Sequence, residues 1–571
     1  MPVASRFKLA ALALGALSAA APWMRAQETS VADGPAVMLP PVVVQGVAWR
    51  YAHLPDFEVL SRWPDSKTEA FANALLAARQ LFDSVLPPDF QVHFSVPTVY
   101  LLVPDGGTEA LSAPLMAQLL SHAPAAGAAP GPRPTRVRFL PNLLLWDRDS
   151  LVVYGQQPRG SIDSTVVYSN DRVRLALERR VPSLPRWFVA GFCDLYAGME
   201  FSQGAAETGP AGWISREQAV GLAADPELPR QLMSLADLFA GPPPDGPAEA
   251  PARALLRQAE ASLFIRWALD GEGFPRRAAL WQFVAEASAE PVAERRFEEL
   301  FGEGTVSALN DLSDYLPWAL THSLRLTPDR PPVDTNVRMR DATPAEVGRI
   351  KGDWERLEMD RVALQFPELV PRYREHAQET LKLAYEENKT DPGLLAVMGL
   401  FQLDCGKPEL ADPLLRAAAA GHVVRPRAYY ELARMLFTAL TRPHPGSVQA
   451  HLSPIQAATL LRLLDEARAQ APALPEVYGL TFEVTSAAAA QPTPALLQVF
   501  REGARLFPGN SPLIYDAAVM LAGGGEPAEA NEILQKGLAY AAEPALRTRM
   551  ASLQAALAST LRGPNASPAP R

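Results

Sequence analysis

The chain has 571 residues, 48% hydrophobic and 20% charged, with a formal net charge of −10. That length holds several domains' worth of core, and the composition is that of a globular protein. The acidic balance excludes a nucleic-acid binder, which needs a basic face against phosphates, and two cysteines, Cys193 and Cys405, exclude a disulfide framework.

In chain order, residues 1–26 read as a signal peptide. Arg6 and Lys8 give a basic start, Leu9 to Ala21 is apolar but too short to span a bilayer, and cleavage fits after Ala21 or Ala26. No later segment carries the roughly 18 uninterrupted apolar residues of a membrane span, so no stable membrane insertion is expected once the signal is removed. A secreted, periplasmic location follows as an expectation. Residues 27–48 form an extended leader in which Val42–Val44 could make a strand.

From residue 49 the pattern is strand, helix, strand. "FEVLSRW" has strand character. The helix over "DSKTEAFANALLAARQLFDSVLP" spaces Phe71, Leu75, Ala78 and Phe82 near a 3.6 period, with Asp65 or Ser66 as its cap and Pro87 past its end. "TVYLLVP" is a continuous apolar run that suits a buried strand. "APAAGAAPGPRP" reads as a loop, and "VRFLPNLLLW", "SLVVYG" and "STVVYS" as three more strands. A helix follows around Asp171 to Arg180, then "LPRWFVAGFCDLYAG". After a Pro/Gly linker at 241–251, "ARALLRQAEASLFIRWAL" reads as an amphipathic helix, and helices over "RRAALWQFVAEAS" and "FEELFGEGTVSALNDLSDYLPWAL" complete a bundle near residue 320. Both cysteines sit in apolar helical contexts and read as buried free thiols.

From about residue 344 helix pairs recur. "DPGLLAVMGLFQLDCGKPELADPLLRAAAAG" is a helix, a Gly-Lys-Pro turn and a second helix, and "RPRAYYELARMLFTAL" opens the next unit. Two more pairs and a final helix follow, the second unit being stretched by "HPGSVQAHLSP". The period and the small/large alternation resemble tetratricopeptide repeats, a family whose stacked hairpins build one continuous core and a groove. The resemblance implies a protein or peptide partner bound in that groove.

The constellation Pro185, Trp187, Gly191 and Tyr196 resembles the gluzincin, peptidase-MA-like group of metallopeptidases. The resemblance implies an α+β domain over 49–325, a small mixed sheet plus a helical bundle. It is followed by the all-α, tetratricopeptide-like solenoid over 344–560, with a disordered tail at 561–571. It also implies a zinc site of two histidines at i and i+4 on one helix and a glutamate directly before the glycine of the next. That glutamate's position holds Ala190. The eight histidines are His53, His93, His122, His322, His376, His422, His444 and His451, and no two are four apart. On "YSNDRVRLALERR" the ligand positions are Tyr168 and Arg172 in one register, Asn170 and Arg174 in the other. A guanidinium has no lone pair to offer a metal. A substitute set from Asp171, Cys193, Asp194 and Glu200 does not converge, because Cys193 and Asp194 are adjacent and point apart.

The expected domain is therefore a pseudopeptidase with a relict site and no metal, cofactor or catalytic residue. Its function is non-catalytic binding in the cell envelope. The alternatives are a hydrolase with an unrecognised site and a structural assembly protein. Ser161 and Ser164 read as surface serines, and Asp147, Asp149 and Asp163 as solvated loop acids. The cluster Arg172, Arg174, Arg179 and Arg180 reads as a basic patch that pairs with acids of the domain.

Overall fold

The computed structural model describes residues 49–562, apart from 105–141, 157–169, 219–231, 242–249, 327–336, 443–450 and several shorter stretches. The leader, its Val42–Val44 strand, the loop at 123–134, Ser161, Asp163 and Ser164 lie outside the described residues.

Strands β1 (Arg50–Leu54) and β2 (Phe57–Ser61) pair antiparallel. Helix α1 (Asp65–Val85) then crosses to β3 (Thr98–Val103), parallel to β2. Strands β4 (Asn142–Trp146) and β5 (Leu151–Gln156) form a hairpin whose second strand runs parallel to β3. The expected Asp65 or Ser66 cap does not form. Pro64 occupies the cap without a side-chain bond, and Asp65 instead accepts from the Arg50 guanidinium at 2.8 and 3.0 Å.

The helical part of the domain contains α2 (Asn170–Glu178) and α3 (Arg186–Ala197). After β6 (Met199–Ser202) and β7 (Ala205–Thr208) come α4 (Leu235–Ala240), α5 (Pro251–Leu269), α6 (Arg277–Ala289), α7 (Glu294–Phe301), α8 (Thr305–Ala319) and β8 (Leu324–Leu326). Strands β6, β7 and β8 make a small antiparallel sheet. Its strands are only three or four residues long, too short to leave an alternating pattern in the sequence. Helix α5 is not amphipathic as its sequence suggests. Every residue from Ala259 to Leu269 is buried, so its second half runs through the middle of the bundle.

The repeat region begins with β9 (Arg340–Asp341), which pairs with β1 and completes the main sheet in the order β4-β5-β3-β2-β1-β9. Then come α9 (Pro344–Gln365) and α10 (Val370–Glu387), followed by hairpins α11 (Pro392–Asp404) with α12 (Pro408–Ala420), α13 (Pro426–Leu440) with α14 (Pro454–Arg468), α15 (Pro475–Ala487) with α16 (Pro494–Leu506), and α17 (Ser511–Gly523) with α18 (Pro527–Leu538). Helix α19 (Pro544–Arg562) ends the array, two residues into the stretch expected to be tail. The hairpins begin at Pro392, Pro426, Pro475 and Ser511, steps of 34, 49 and 36 residues. The long step contains the insertion read from sequence. Each helix from Pro344 onward has a proline at its first or second position. Its fixed φ suits the first turn, where its missing N–H costs nothing. Gly406, with φ of 73°, makes the turn of the first hairpin.

The main sheet is buried on both faces. Ala52, Phe57, Val59, Tyr100, Leu102, Leu151 and Val153 face the bundle. Tyr51, Leu60, Val99, Leu101, Val103, Val152 and Tyr154 alternate with them and face the repeats, against Ile350 and Trp354 of α9 and Leu394, Val397 and Phe401 of α11. This is why β3 reads as a continuous apolar run: its second face is covered by helices about 250 residues further on.

A buried charge network borders this contact. Arg425, just before α13, donates to Asp149 at 3.0 Å, to Asp353 at 2.9 Å and to Ser150 Oγ at 2.9 Å. Arg427 reaches Asp147 at 2.8 Å and Asp404 at 2.7 Å, and its backbone N–H donates to Asp149 at 2.7 Å. Arg356 of α9 bonds Asp147 at 2.5 Å and Asp353 and Asp404 at 2.9 Å. Asp147 and Asp149 sit on the β4–β5 turn and are not the solvated acids their loop position suggests. Burial works against the Asp147 charge, but the three arginines outweigh it and hold the carboxyl well below the usual range. Asp149 is 1% exposed.

Further along, Arg148 of the same turn meets Glu476 at 3.3 Å. Ser95 and Ala471 exchange hydrogen bonds at 2.8 and 2.9 Å, and Lys536 lies 3.6 Å from Glu290. Arg425, Ala471 and Lys536 all belong to ends or turns where one hairpin passes to the next, so one edge of the array lies against the domain.

Two outcomes follow. Arg425→Ala strands Asp149 and Asp353 in a buried site, and the urea midpoint is expected to fall by about 3–5 kcal/mol of stability; an unchanged midpoint contradicts the role of the network. The Glu358 carboxyl, fully buried between α9 and α10, accepts from Trp354 Nε1 at 3.1 Å and Tyr373 Oη at 2.6 Å, and burial pushes it up to about 7. A raised carboxyl favours the folded state while protonated, and that contribution is lost as pH rises towards 7. Glu358→Gln is expected to flatten the fall in stability between pH 5 and 8, measured by denaturant titration at each pH.

Candidate functional site

The residues singled out in the sequence lie where α2, α3 and α5 meet. Pro185 occupies the cap of α3, with φ of −56° and ψ of 135°. Trp187 is core: its ring packs 5.0 Å from Phe239, 5.7 Å from Phe264 and 6.0 Å from Phe283. Tyr196 is buried and meets Phe82 edge-on at 6.3 Å. Cys193 is buried, whereas Cys405, expected to be buried as well, is only half-buried at the end of α11.

Gly191 is where α3 and α5 touch. A Cβ there would stand 2.6 Å from the Ala261 carbonyl carbon and 2.8 Å from the Ser262 nitrogen. Ser262 Oγ donates to the Gly191 carbonyl at 3.0 Å and fastens the crossing. Ala190, on the same turn, is half-buried.

Helix α2 packs against α3. Tyr168 lies outside the described residues, and Asn170, Asp171 and Arg172 form the first turn of α2. Val173, Leu175 and Leu177 are buried in the bundle core. Burial pushes the Asp194 carboxyl up, against the Gln218 and Gln258 hydrogen bonds and a weaker pull from the Arg174 charge. Asp194 is otherwise held by amides: Gln218 donates to one oxygen at 3.0 Å and Gln258 to the other at 2.6 Å. Among the described residues no three His, Cys, Asp or Glu side chains gather into a metal-binding group.

Arg179 and Arg180 of the basic patch are used within the domain. Arg179 donates to the Asp147 carbonyl. Arg180 donates to the Pro182 carbonyl at 3.1 Å and covers the Phe90 ring at 4.5 Å. Sequence reasoning missed Glu260, next to the Ala261–Ser262 contact with Gly191. It accepts from the Met233 N–H at 3.0 Å, and burial pushes it up to about 7. It reads there as an ordinary acid on a helix, and only the burial of α5 all round marks it.

In the array, successive first helices of the hairpins pack on one another, whereas successive second helices do not pack as closely. The stack therefore curves with α11, α13, α15, α17 and α19 as the inner layer. The start of that layer is spent on the sheet, since α11 is buried nearly all round. Among the described residues no helix is long and apolar enough to cross a membrane.

No protein-family model matches the chain, and no curated protein matches it. Among solved structures it is similar to YrrB, described as a tetratricopeptide protein with an unusual peptide-binding site, at 16% identity, over 36% of this chain and 99% of that one, with a TM-score of 0.25. It is similar to PilF of Pseudomonas aeruginosa at 18% identity, over 37% and 92%, with a TM-score of 0.25. Yeast Tom70 matches at 11% identity, over 69% and 73%, with a TM-score of 0.26. The repeat region of this chain has a helix-hairpin organisation of tetratricopeptide type, set by its own helix periods and layering.

Gly191→Ala forces the α3–α5 crossing apart, and a loss of about 3 kcal/mol is expected in chemical denaturation. Ala190→Ser on the same turn should stay within about 0.5 kcal/mol. Equal effects at the two positions would show that the crossing is not tight.

Proposed function

We propose that the chain is a secreted, non-catalytic binding protein of the cell envelope. On this reading a gluzincin-like domain that lacks its zinc ligands serves as a rigid platform, and the helical array presents a peptide-binding face. The observation that carries it is the division of labour in the array. One edge and the start of the inner layer are locked onto the domain, while α15, α17 and α19 continue that layer beyond the sheet. The relict site supports the non-catalytic half: Ala190 replaces an acid, Arg174 faces Asp194, and Trp187 is buried in the core instead of lining a cleft. The basic and apolar pattern of Arg6, Lys8 and Leu9–Ala21 supports secretion.

The purified chain from Gln27 onward, panned against a phage-displayed random peptide library, is expected to enrich binders that Gly479→Leu on the inner layer abolishes. It should also show substoichiometric zinc and no casein hydrolysis. Failure to enrich any peptide, or stoichiometric zinc with chelator-sensitive cleavage, would overturn the reading.

A further inference from the structure

Between α10 and α11 stand only the residues Asn388 to Asp391, and the first three of them read Asn-Lys-Thr. Asparagine, any residue but proline, then serine or threonine is the triplet that accepts an N-linked glycan in exported proteins. Every residue from Glu386 to Thr390 is exposed. Asn388 has extended backbone, with φ of −145° and ψ of 96°, and its N–H closes α10 on the Ala384 carbonyl at 3.1 Å. The triplet therefore begins where the helix ends. Asp391 then caps α11 by accepting from the Leu394 N–H at 2.7 Å.

The side chains within the turn are arranged for chemistry at the amide. Thr390 donates to Asn388 Oδ1 from its backbone N–H and from its hydroxyl, at 3.1 Å each. The backbone bond alone closes such a turn; the hydroxyl bond is what a threonine adds. Asn388 Nδ2 donates to nothing among the described residues. An amide nitrogen is a poor nucleophile, because its lone pair is shared with the carbonyl. Two donors on Oδ1 stabilise the charge that the oxygen takes up as Nδ2 gives its proton away.

We propose that Asn388 is the acceptor of an N-linked glycan. The donor class is an oligosaccharide carried on a polyprenyl diphosphate and presented by a transferase of the export compartment. Nδ2 attacks C1 of the first sugar and the C1–N bond forms. The C1–O bond to the diphosphate breaks, the diphosphate leaves with that electron pair, and the Nδ2 proton passes to a base of the transferase. The assignment rests on the secretion part of the reading above, because only an exported chain meets such a donor. The sequence carries a second triplet of this kind, Asn565 to Ser567, outside the described residues, so the modification has to be read on the Asn388 peptide and not on total mass.

In the test, the folded chain from Gln27 onward is incubated with a purified oligosaccharyl transferase and its polyprenyl diphosphate-linked oligosaccharide, and the peptide containing Asn388 is weighed by mass spectrometry. It is expected to carry one glycan. Asn388→Gln should abolish the addition and Thr390→Ala should slow it at least tenfold, whereas Thr390→Ser, which keeps the hydroxyl, should retain most of the rate. All three positions changed are on the surface, and an unchanged urea midpoint checks that each variant is folded. A folded chain left bare at Asn388, with a control acceptor peptide glycosylated in the same tube, overturns the assignment. The whole chain, with residues 1–26, is then made in cells that hold the same transferase in their export compartment. A chain cut after Ala21 or Ala26 and still bare at Asn388 also overturns the assignment. A chain that keeps Met1 and stays bare in cells, although the folded protein accepts the glycan in the tube, overturns the secretion reading and leaves the chemistry of the turn standing.

Discussion

The architecture depends on one constraint: the main sheet has two apolar faces, and only one of them can be covered by the helices of its own domain. The other is closed by α9 and α11, which belong to the repeats. Tyr154 against Trp354, with ring centroids 5.5 Å apart, is the centre of that contact. Apolar contact alone is tolerant of sliding, since it is roughly proportional to area and not directional. The arginines 356, 425 and 427 and the aspartates 147, 149, 353 and 404 are directional, and they fix where the array sits. A buried network of this kind is weak evidence for net stability, because desolvation opposes the attraction. Its contribution here is better understood as position: four separate segments must be in register before every charge has a partner.

That fixed position explains why an array whose family resemblance implies a groove has only part of one to offer. The inner helices nearest the sheet are consumed in building the core. Those further along are held at their edge through Ser95 with Ala471 and Lys536 with Glu290, so their inner faces are left in place. In α3, Pro185 caps the helix, Trp187 and Tyr196 are buried in the bundle, and Gly191 lets α5 approach closely, so each of these residues shapes or buries the helix.

Much of this was legible in the sequence, and the reasons differ by element. The repeats announce themselves because helix length, proline starts and a period near 34 residues are local properties. The strand β3 was legible as buried, but not that its second face would be covered by the repeats. Helix α5 misled, since charges in its first half gave it a polar face while its second half is enclosed. The Asp147–Asp149 turn misled for a different reason. Its partners are more than 200 residues away, in a turn whose Arg-Pro-Arg run looks like ordinary repeat punctuation. Long-range ion pairing leaves no periodic trace, so loop acids destined for burial read like those left in water.

The placement of the two sheet coverings along the chain has a temporal side. Strands β1 to β5 are complete by residue 156, and the bundle that covers their first face by about residue 319. The helices that cover the second face begin at residue 344 and are finished only at 404. During synthesis the N-terminal end comes first, so the sheet face formed by Tyr51, Leu60, Leu101 and Tyr154 stays uncovered until the repeats have been made, an interval in which an apolar surface is open to wrong partners.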